Sequence, residues 1–397
     1  MIERKEYVNQ IKPFIDKDII KIITGIRRCG KSVFLKQIIE YLKSLNISDE
    51  NIIYINFDDI KYKNIKNEEE LDRIIIEKSE KIDGKLYLFF DEVQKLNGWE
   101  NSIASYFASF DADIYLTGSV SNLLSQKNSS SLSGRYIEIK MYPFSFKESL
   151  EINKNLSEEE VFDDYLKTGG MPFIFNLNGD EEKIEYLENL YDSIILRDVI
   201  NQNEVRNIEL LDKILQFLID NIGRTFSSRS ISNFFKHEGR NVSSETIMNY
   251  LKYCEIAYII HKVKRENILG KEILKTQEKY YLTDHGFKEV IFRNNQNSES
   301  QILENIVYVE LLRRGYDVKI GKINNLEVDF VCKKRREKIY IQVSSYLNDE
   351  KTIEREFKSL LKINDQYPKY VLSLNKMDLS YNGIKHINII DFLKGDL

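Results

Sequence analysis

An α/β fold built on a parallel sheet, with smaller domains following it, is what this sequence of 397 residues predicts. Three observations carry that expectation. Over the first 150 residues, short apolar runs alternate with amphipathic stretches, the pattern of a parallel sheet covered by helices. The first of those runs passes into a Gly-rich turn and then into a stretch with helical apolar spacing. Beyond residue 150 the alternation stops. A wholly helical segment follows, then three helices with a hairpin, then a last mixed α/β unit.

The first strand is read at 19–24 and the first helix at 31–44. Between them stands Gly25-Ile26-Arg27-Arg28-Cys29-Gly30-Lys31-Ser32, with Val33 opening the helix. Gly, four residues, Gly-Lys-Ser between strand and helix is the P-loop pattern, and the flanks are what make it credible. Backbone N–H groups from Gly25 to Val33 would surround a β-phosphate, helped by the helix N-terminus. Glycine at positions 25 and 30 permits so tight a curl. Lys31 would supply charge to the β- and γ-phosphates, and Ser32 a hydroxyl to Mg2+. The expected ligands are therefore ATP and Mg2+, on a P-loop NTPase parallel sheet.

The remaining strands of that sheet are read at 51–57, 85–91, 112–118 and 135–140, with helices at 68–82 and 98–109. The strand Lys85–Asp91 ends in Asp91-Glu92, the Walker B pattern. Asp91 would hold Mg2+ through water, and Glu92 would act as general base on the attacking water. The strand after it ends Thr117-Gly118-Ser119. Ser119 is the choice for a polar residue beside the γ-phosphate and Thr117 the second choice. A plain helix N-cap is the other role open to Ser119. Asp58 and Asp59 end the second strand at the same edge and are read as solvated.

Composition limits the partners. The net charge of −5 gives no global attraction to nucleic acid, so any such contact needs a local patch. The three cysteines, Cys29, Cys254 and Cys332, are far apart and show no metal spacing, which suits a reducing compartment. The start lacks an apolar signal core, and no run reaches the ~18–20 apolar residues of a membrane span. A cytoplasmic protein with no membrane contact is expected.

Residues 151–205 read as a helical lid, opened by the capping-box-like Ser157-Glu158-Glu159-Glu160 and broken at Gly169-Gly170-Met171-Pro172. Residues 206–290 read as a winged helix: three helices, then strands at 258–263 and 279–282, with Ser244 to Lys252 as the recognition helix. From Ile208 to Val290 there are 13 Lys+Arg against 11 Asp+Glu, a weak net positive charge, and the wing carries Lys262, Lys264, Arg265, Lys271 and Lys275. Duplex DNA is one expected partner; packing against a protein or a second copy is the other. A polar linker runs from Arg293 to Ser300.

Residues 300–397 read as a small α/β domain. Glu304 on its opening helix, Asp329 on one strand, and Gln342 with Ser344 on another together resemble the PD-(D/E)xK nuclease fold. Glu327 and Asp329 share a strand face, and Glu304, Glu327 and Asp329 are the candidate metal ligands. The usual lysine is replaced by Ser344; Lys338 is the alternative cation. The expectation is a degenerate, non-cutting domain.

Taken as a set, Gly25–Ser32, Asp91-Glu92-Val93-Gln94, Leu116–Ser119, Ser133-Gly134-Arg135-Tyr136 with Pro143-Phe144-Ser145-Phe146, Lys279-Tyr280-Tyr281-Leu282-Thr283-Asp284-His285-Gly286 and Glu327-Val328-Asp329-Phe330 resemble a large prokaryotic group of AAA-type ATPases carrying a C-terminal domain of unknown function. The resemblance spans essentially the whole chain. It implies ATP binding and hydrolysis, a winged helix and a nuclease-like tail. It also implies an arginine, supplied in cis or by a neighbouring chain, that neutralises transition-state charge; Arg135 is the first choice, with Arg27, Arg28 and Arg197 behind it. Gln94 is read as sensing nucleotide or positioning the helix after its strand. Two function classes follow: an ATP-driven DNA-associated machine, or a regulatory NTPase switch whose C-terminal domains bind proteins. A small-molecule kinase is the weaker third, because the extra domains would then have no role.

Overall fold

The computed structural model describes residues 2–119, 131–203, 205–270, 272–292 and 299–395. Lys271 and most of the predicted linker, 293–298, lie outside them. The chain divides into two compact units, one of residues 1–141 with 256–258, the other of residues 142–255 with 259–397.

The first unit opens with a short helix α1 (Lys5–Ile11), unread in the sequence because its apolar pattern is only two turns long. Five strands follow, β1 (Ile20–Thr24), β2 (Ile52–Asn56), β3 (Leu86–Asp91), β4 (Ala112–Gly118) and β5 (Tyr136–Lys140), with helices α2 (Lys31–Ser44), α3 (Glu68–Ser79) and α4 (Trp99–Ser109). Each lies within a few residues of its predicted span. All four pairings are parallel, in the order β2-β3-β4-β1-β5. β1 and β3 are buried along their whole length, as central strands covered on both faces must be. Ile22, Ile53, Leu88, Ile103 and Leu116 form part of the core on one face.

A charged pair is enclosed in this unit. Lys21 on β1 donates to Asp113 on β4, and both side chains are fully buried. Asp113 Oδ2 also accepts from the Tyr115 hydroxyl at 2.8 Å and the Asp16 amide at 2.9 Å. Burial lowers the Lys21 pKa, and Asp113 opposes that shift.

The second unit begins with helices α5 (Phe146–Ile152), α6 (Glu158–Thr168) and α7 (Asp180–Ile194). A π-helical turn, Ile195–Ile200, leads into α8 (Asn201–Asn203). Ser157 caps α6 in a reciprocal box with Glu160. Then come α9 (Ile208–Asp220), α10 (Ser228–His237) and α11 (Ser244–Ile256), and the hairpin β6 (Ile260–Asn267) and β7 (Glu272–Leu282). α12 (Gly286–Phe292) and α13 (Glu299–Arg313) follow, then β8 (Asp317–Ile323), β9 (Leu326–Lys334), β10 (Glu337–Val343), α14 (Glu350–Leu361), β11 (Lys369–Ser373), β12 (Lys385–Asn388) and α15 (Ile389–Lys394).

The hairpin strands are longer than predicted and belong to the same sheet as the tail, in the order β12-β11-β10-β9-β8-β6-β7. The join is a short parallel pairing of Arg265, Glu266 and Asn267 with Ile320, Gly321 and Lys322. One face of the sheet packs on Leu303, Val307 and Leu311 of α13; the other packs on Phe357 and Leu360 of α14. Asp284 ties the end of the hairpin to the helices, accepting from the Gly170 and Gly286 amides at 2.9 Å each.

Removing one member of a buried pair strands the other. Asp113→Ala is expected to destabilise the first unit by about 3–5 kcal/mol, read as a lower urea midpoint in the full chain. An unchanged midpoint would mean that Lys21 is not held in charged form by Asp113.

Candidate functional site: the carboxyl edge of the first sheet

The P-loop leaves β1 at its carboxyl end. Gly25 has φ +145°, and a Cβ there would lie 2.3 Å from the Met141 carbonyl oxygen. Gly30 has φ +105° and caps α2, whose N-terminus no side chain caps. Arg28 between them is left-handed at φ +68° and exposed. The first N–H groups of α2 lack intrahelical partners and lie at the positive end of the helix dipole, which makes this turn an anion cradle. Lys31 is 4% exposed, and its Nζ donates to the carbonyls of Gly25 at 3.0 Å and Ile26 at 3.1 Å. Its charge is thus stored over the loop. Ser32, beside it, is half-buried.

Two strands away, β3 delivers both acids to the same edge. Asp91 is fully buried; Thr117 Oγ1 donates to its Oδ1 at 2.5 Å and the Tyr54 hydroxyl to its Oδ2 at 2.9 Å. Burial, then the Asp91 charge, raises the Tyr54 pKa, so the phenol stays a donor. Glu92 takes a left-handed conformation, φ +56°, uncommon for a residue with a side chain. Its amide donates to Thr117 Oγ1 at 2.9 Å. Ser119 Oγ donates to its Oε1 at 2.8 Å, and Gln94 Nε2 to its Oε2 at 2.6 Å. Both predicted polar residues at the end of β4 are therefore at this edge, Thr117 within the strand on Asp91 and Ser119 just past it on Glu92. Tyr54 was missed; it sits on β2 outside any motif.

Arg135 is not brought to this edge. Its carbonyl accepts from the amide of Ile20, at the start of β1, whereas the P-loop follows Thr24 at the end. Because β5 runs parallel to β1, its first residues lie at the opposite edge of the sheet. The Arg135 guanidinium rests 5.8 Å from the Phe107 ring centroid. Arg27 and Arg28 are on the loop itself, and Arg197 is exposed in the second unit.

The tail residues also meet, around an unexpected cation. Lys279 of β7 is 3% exposed and lies 2.9 Å from Glu304, 2.7 Å from Glu327 and 3.6 Å from Asp329. Burial alone would lower its pKa; Glu304, Asp329 and Glu327 together raise it above the ordinary lysine value. Burial, then the Glu304 charge, holds Asp329 well above the usual carboxylate range. The Tyr281 hydroxyl donates to Glu304 at 2.5 Å, and Arg265 is 3.6 Å from Glu327. Gln342 Nε2 donates to Glu356 at 3.1 Å while its Oε1 accepts from the Asp329 amide at 3.3 Å, and Ser344 donates to the Tyr346 carbonyl at 3.4 Å. Lys338 lies 4.0 Å from Asp365, so it does not supply the missing charge. The cation that meets these acids is Lys279, from the hairpin; sequence order hid it, because its partners lie past the linker. Its ammonium stands among all three candidate carboxylates. Among the described residues no group of three or more His, Cys, Asp or Glu side chains is arranged to hold a metal.

Residues 17–150 match the AAA domain family, and residues 159–298 match a domain of unknown function (DUF8612). A Walker-type ATPase of Pyrococcus abyssi has a similar fold, with a TM-score of 0.53 at 17% identity over 73% of this chain and 96% of that one. Parallel sheet, loop and match together define an AAA-type P-loop ATPase domain. An uncharacterized protein of Haemophilus influenzae is 38% identical over 99% of this chain and 98% of its own length. One of Methanocaldococcus jannaschii is 32% identical over 94% and 85%. The chain belongs to the family of these two proteins. No described helix is long and apolar enough to cross a membrane.

Lys279→Met is expected to destabilise the second unit by about 3–5 kcal/mol at neutral pH, because it strands three carboxylates. The deficit should shrink as pH falls and Asp329, whose pKa burial and the Glu304 charge raise, takes up its proton, which leaves less charge to compensate. Unfolding curves from pH 4 to pH 8 that show one constant difference would contradict this.

Proposed function

We propose that the protein is an ATP-hydrolysing switch working at the carboxyl edge of the first sheet. The supporting observation is that Thr117 contacts both acids, through Asp91 Oδ1 and the Glu92 amide, on the edge from which the P-loop springs. The loop N–H groups and Lys31 bind the phosphates; Lys31 exchanges its two carbonyl partners for phosphate oxygens. Glu92, held by Ser119 and Gln94, takes a proton from the attacking water. A bond forms from the water oxygen to the γ-phosphorus, and the bond to the β–γ bridging oxygen breaks, releasing ADP and phosphate. Ser32 and Asp91 offer the oxygen donors that Mg2+ favours, and the ion would neutralise charge on the transferring group.

Lys31→Ala is expected to lower turnover by ~10²-fold or more, the usual scale for removing one such electrostatic contact. Glu92→Gln is expected to bind ATP yet not hydrolyse it, because an amide cannot accept the proton. Steady-state phosphate release with nucleotide titrations decides the matter; wild-type turnover and affinity in Lys31→Ala would overturn the assignment.

For the second unit we favour a protein partner, or a second copy, over duplex DNA. Of the wing cations, Lys262 is paired with Glu278 at 2.8 Å, and Arg265 is buried against Gln277 and Glu327. Lys264 is exposed, but α11 presents Glu245, Met248, Asn249, Lys252 and Glu255 to solvent, a face without net positive charge. Phosphate contacts make binding fall by about one log unit per log unit of salt for each contact. DNA titrations at several salt concentrations are expected to show a shallow slope, unchanged in the Lys262→Ala, Lys264→Ala double variant. A steep slope that flattens in that variant would restore the DNA-associated reading.

A further inference from the structure

Outside the P-loop motif, one side chain reaches the loop backbone from the N-terminal segment. Arg4 is 2% exposed, and its Nη1 donates to the Cys29 carbonyl oxygen at 3.2 Å. Several contacts hold the arginine in place. Its own amide donates to Gln37 Oε1 of α2 at 3.0 Å, and Gln37 Nε2 donates back to the Ile2 carbonyl at 2.6 Å. The guanidinium lies 4.8 Å from the Tyr7 ring centroid, and Tyr7 meets Phe34 of α2 edge-on at 6.0 Å. The region matched to the AAA domain begins at residue 17, so the segment carrying Arg4 lies outside it.

The carbonyl that Arg4 holds shares a peptide plane with the Gly30 N–H. In a trans peptide the C=O and N–H point in opposite directions, so fixing one aims the other. Gly30 cannot do this unaided. With no Cβ it accepts positive and negative φ about equally, so its peptide is free to turn unless something outside the residue restrains it. Gly30 sits at φ +105°, and a Cβ there would be 3.7 Å from Arg4 Nη1.

We propose that Arg4 is a positioning residue for the P-loop: it holds the Cys29–Gly30 peptide so that the Gly30 N–H is presented to the β-phosphate of a nucleoside di- or triphosphate. The proposal rests on the nucleotide-site reading above. It concerns binding of the β-phosphate, which ADP and ATP share, and not the proton transfer at Glu92. By linkage the effect is mutual: a ligand that uses the Gly30 N–H also steadies the N-terminal helix α1.

The test uses the full chain with ADP and ATP as probes. Arg4→Ala is expected to weaken ADP and ATP by a similar factor, about tenfold or more, the scale of a hydrogen bond to a charged group. kcat at saturating ATP should change far less. Arg4→Lys, which keeps one cationic donor, should recover part of the affinity. Two further readouts separate positioning from general support. In protein labelled with 15N-glycine, the Gly30 amide proton should shift on ADP binding in the wild type and shift less in Arg4→Ala. Hydrogen exchange in residues 5–11 should slow with ADP in the wild type but not in the variant. Thermal midpoints without nucleotide identify a variant that has simply unfolded, and Arg4→Lys then carries the test. Wild-type affinity in Arg4→Ala, while Lys31→Ala loses binding, would overturn the proposal and leave the site reading intact. Weaker binding with an unchanged Gly30 shift would overturn the positioning role. A wild-type chain that binds neither nucleotide would overturn both readings.

Discussion

The register of three parallel strands governs the first unit. β1 pairs with β4 so that Thr24 stands opposite Gly118, and β3 pairs with β4 so that Phe90 stands opposite Leu116. These pairings place the loop after Thr24, the acids at Asp91 and Glu92, and the hydroxyls of Thr117 and Ser119 at one edge. A slip of one residue would send alternate side chains to the wrong face and move Thr117 off Asp91. The register is secured by burial on both faces and by the enclosed Lys21–Asp113 pair, which joins β1 to β4 near the opposite edge. Stability at one edge and chemistry at the other are thus two results of the same alignment.

The second unit solves a different electrostatic problem. Three carboxylates come together from α13 and β9, and the charge that makes this tolerable arrives from β7. A buried ammonium with several carboxylate partners can stay charged where an isolated one would not. Glu327 is shared with Arg265, so two strands of one hairpin answer the acids of the tail.

What the sequence made legible follows from range. The P-loop, the acids at the end of β3 and the hydroxyls at the end of β4 were readable because each is a local pattern at the end of an apolar run, and one topology brings such ends together. Ser157 and Glu160 were readable for the same reason, since a capping box spans one helical turn. Arg135 stands away from its own chain's loop, because a motif does not say at which end of a parallel strand a residue falls. Arg4 and Tyr54 carried no signal: each meets its partner across 25 or 37 residues, through contacts that leave no spacing rule. Lys279 stood in a recognisable run, yet hairpin and tail read as separate domains; the pairing of β6 with β8 and the bonds between Asn305 of α13 and Leu282 of β7 bring it to Glu304 and Asp329.

That pairing has a consequence for how such a chain can be divided. Parallel contact over three residues a side is slender, yet it turns what would be the rim of one sheet into its interior. A chain ended at residue 292 would keep the hairpin but lose the carboxylates around Lys279. A chain begun at residue 299 would bare the backbone of β8, an open edge inviting pairing with another molecule. Either cut therefore separates the Lys279 ammonium from its carboxylates, leaving buried charge without its partner in one piece and an open sheet edge in the other.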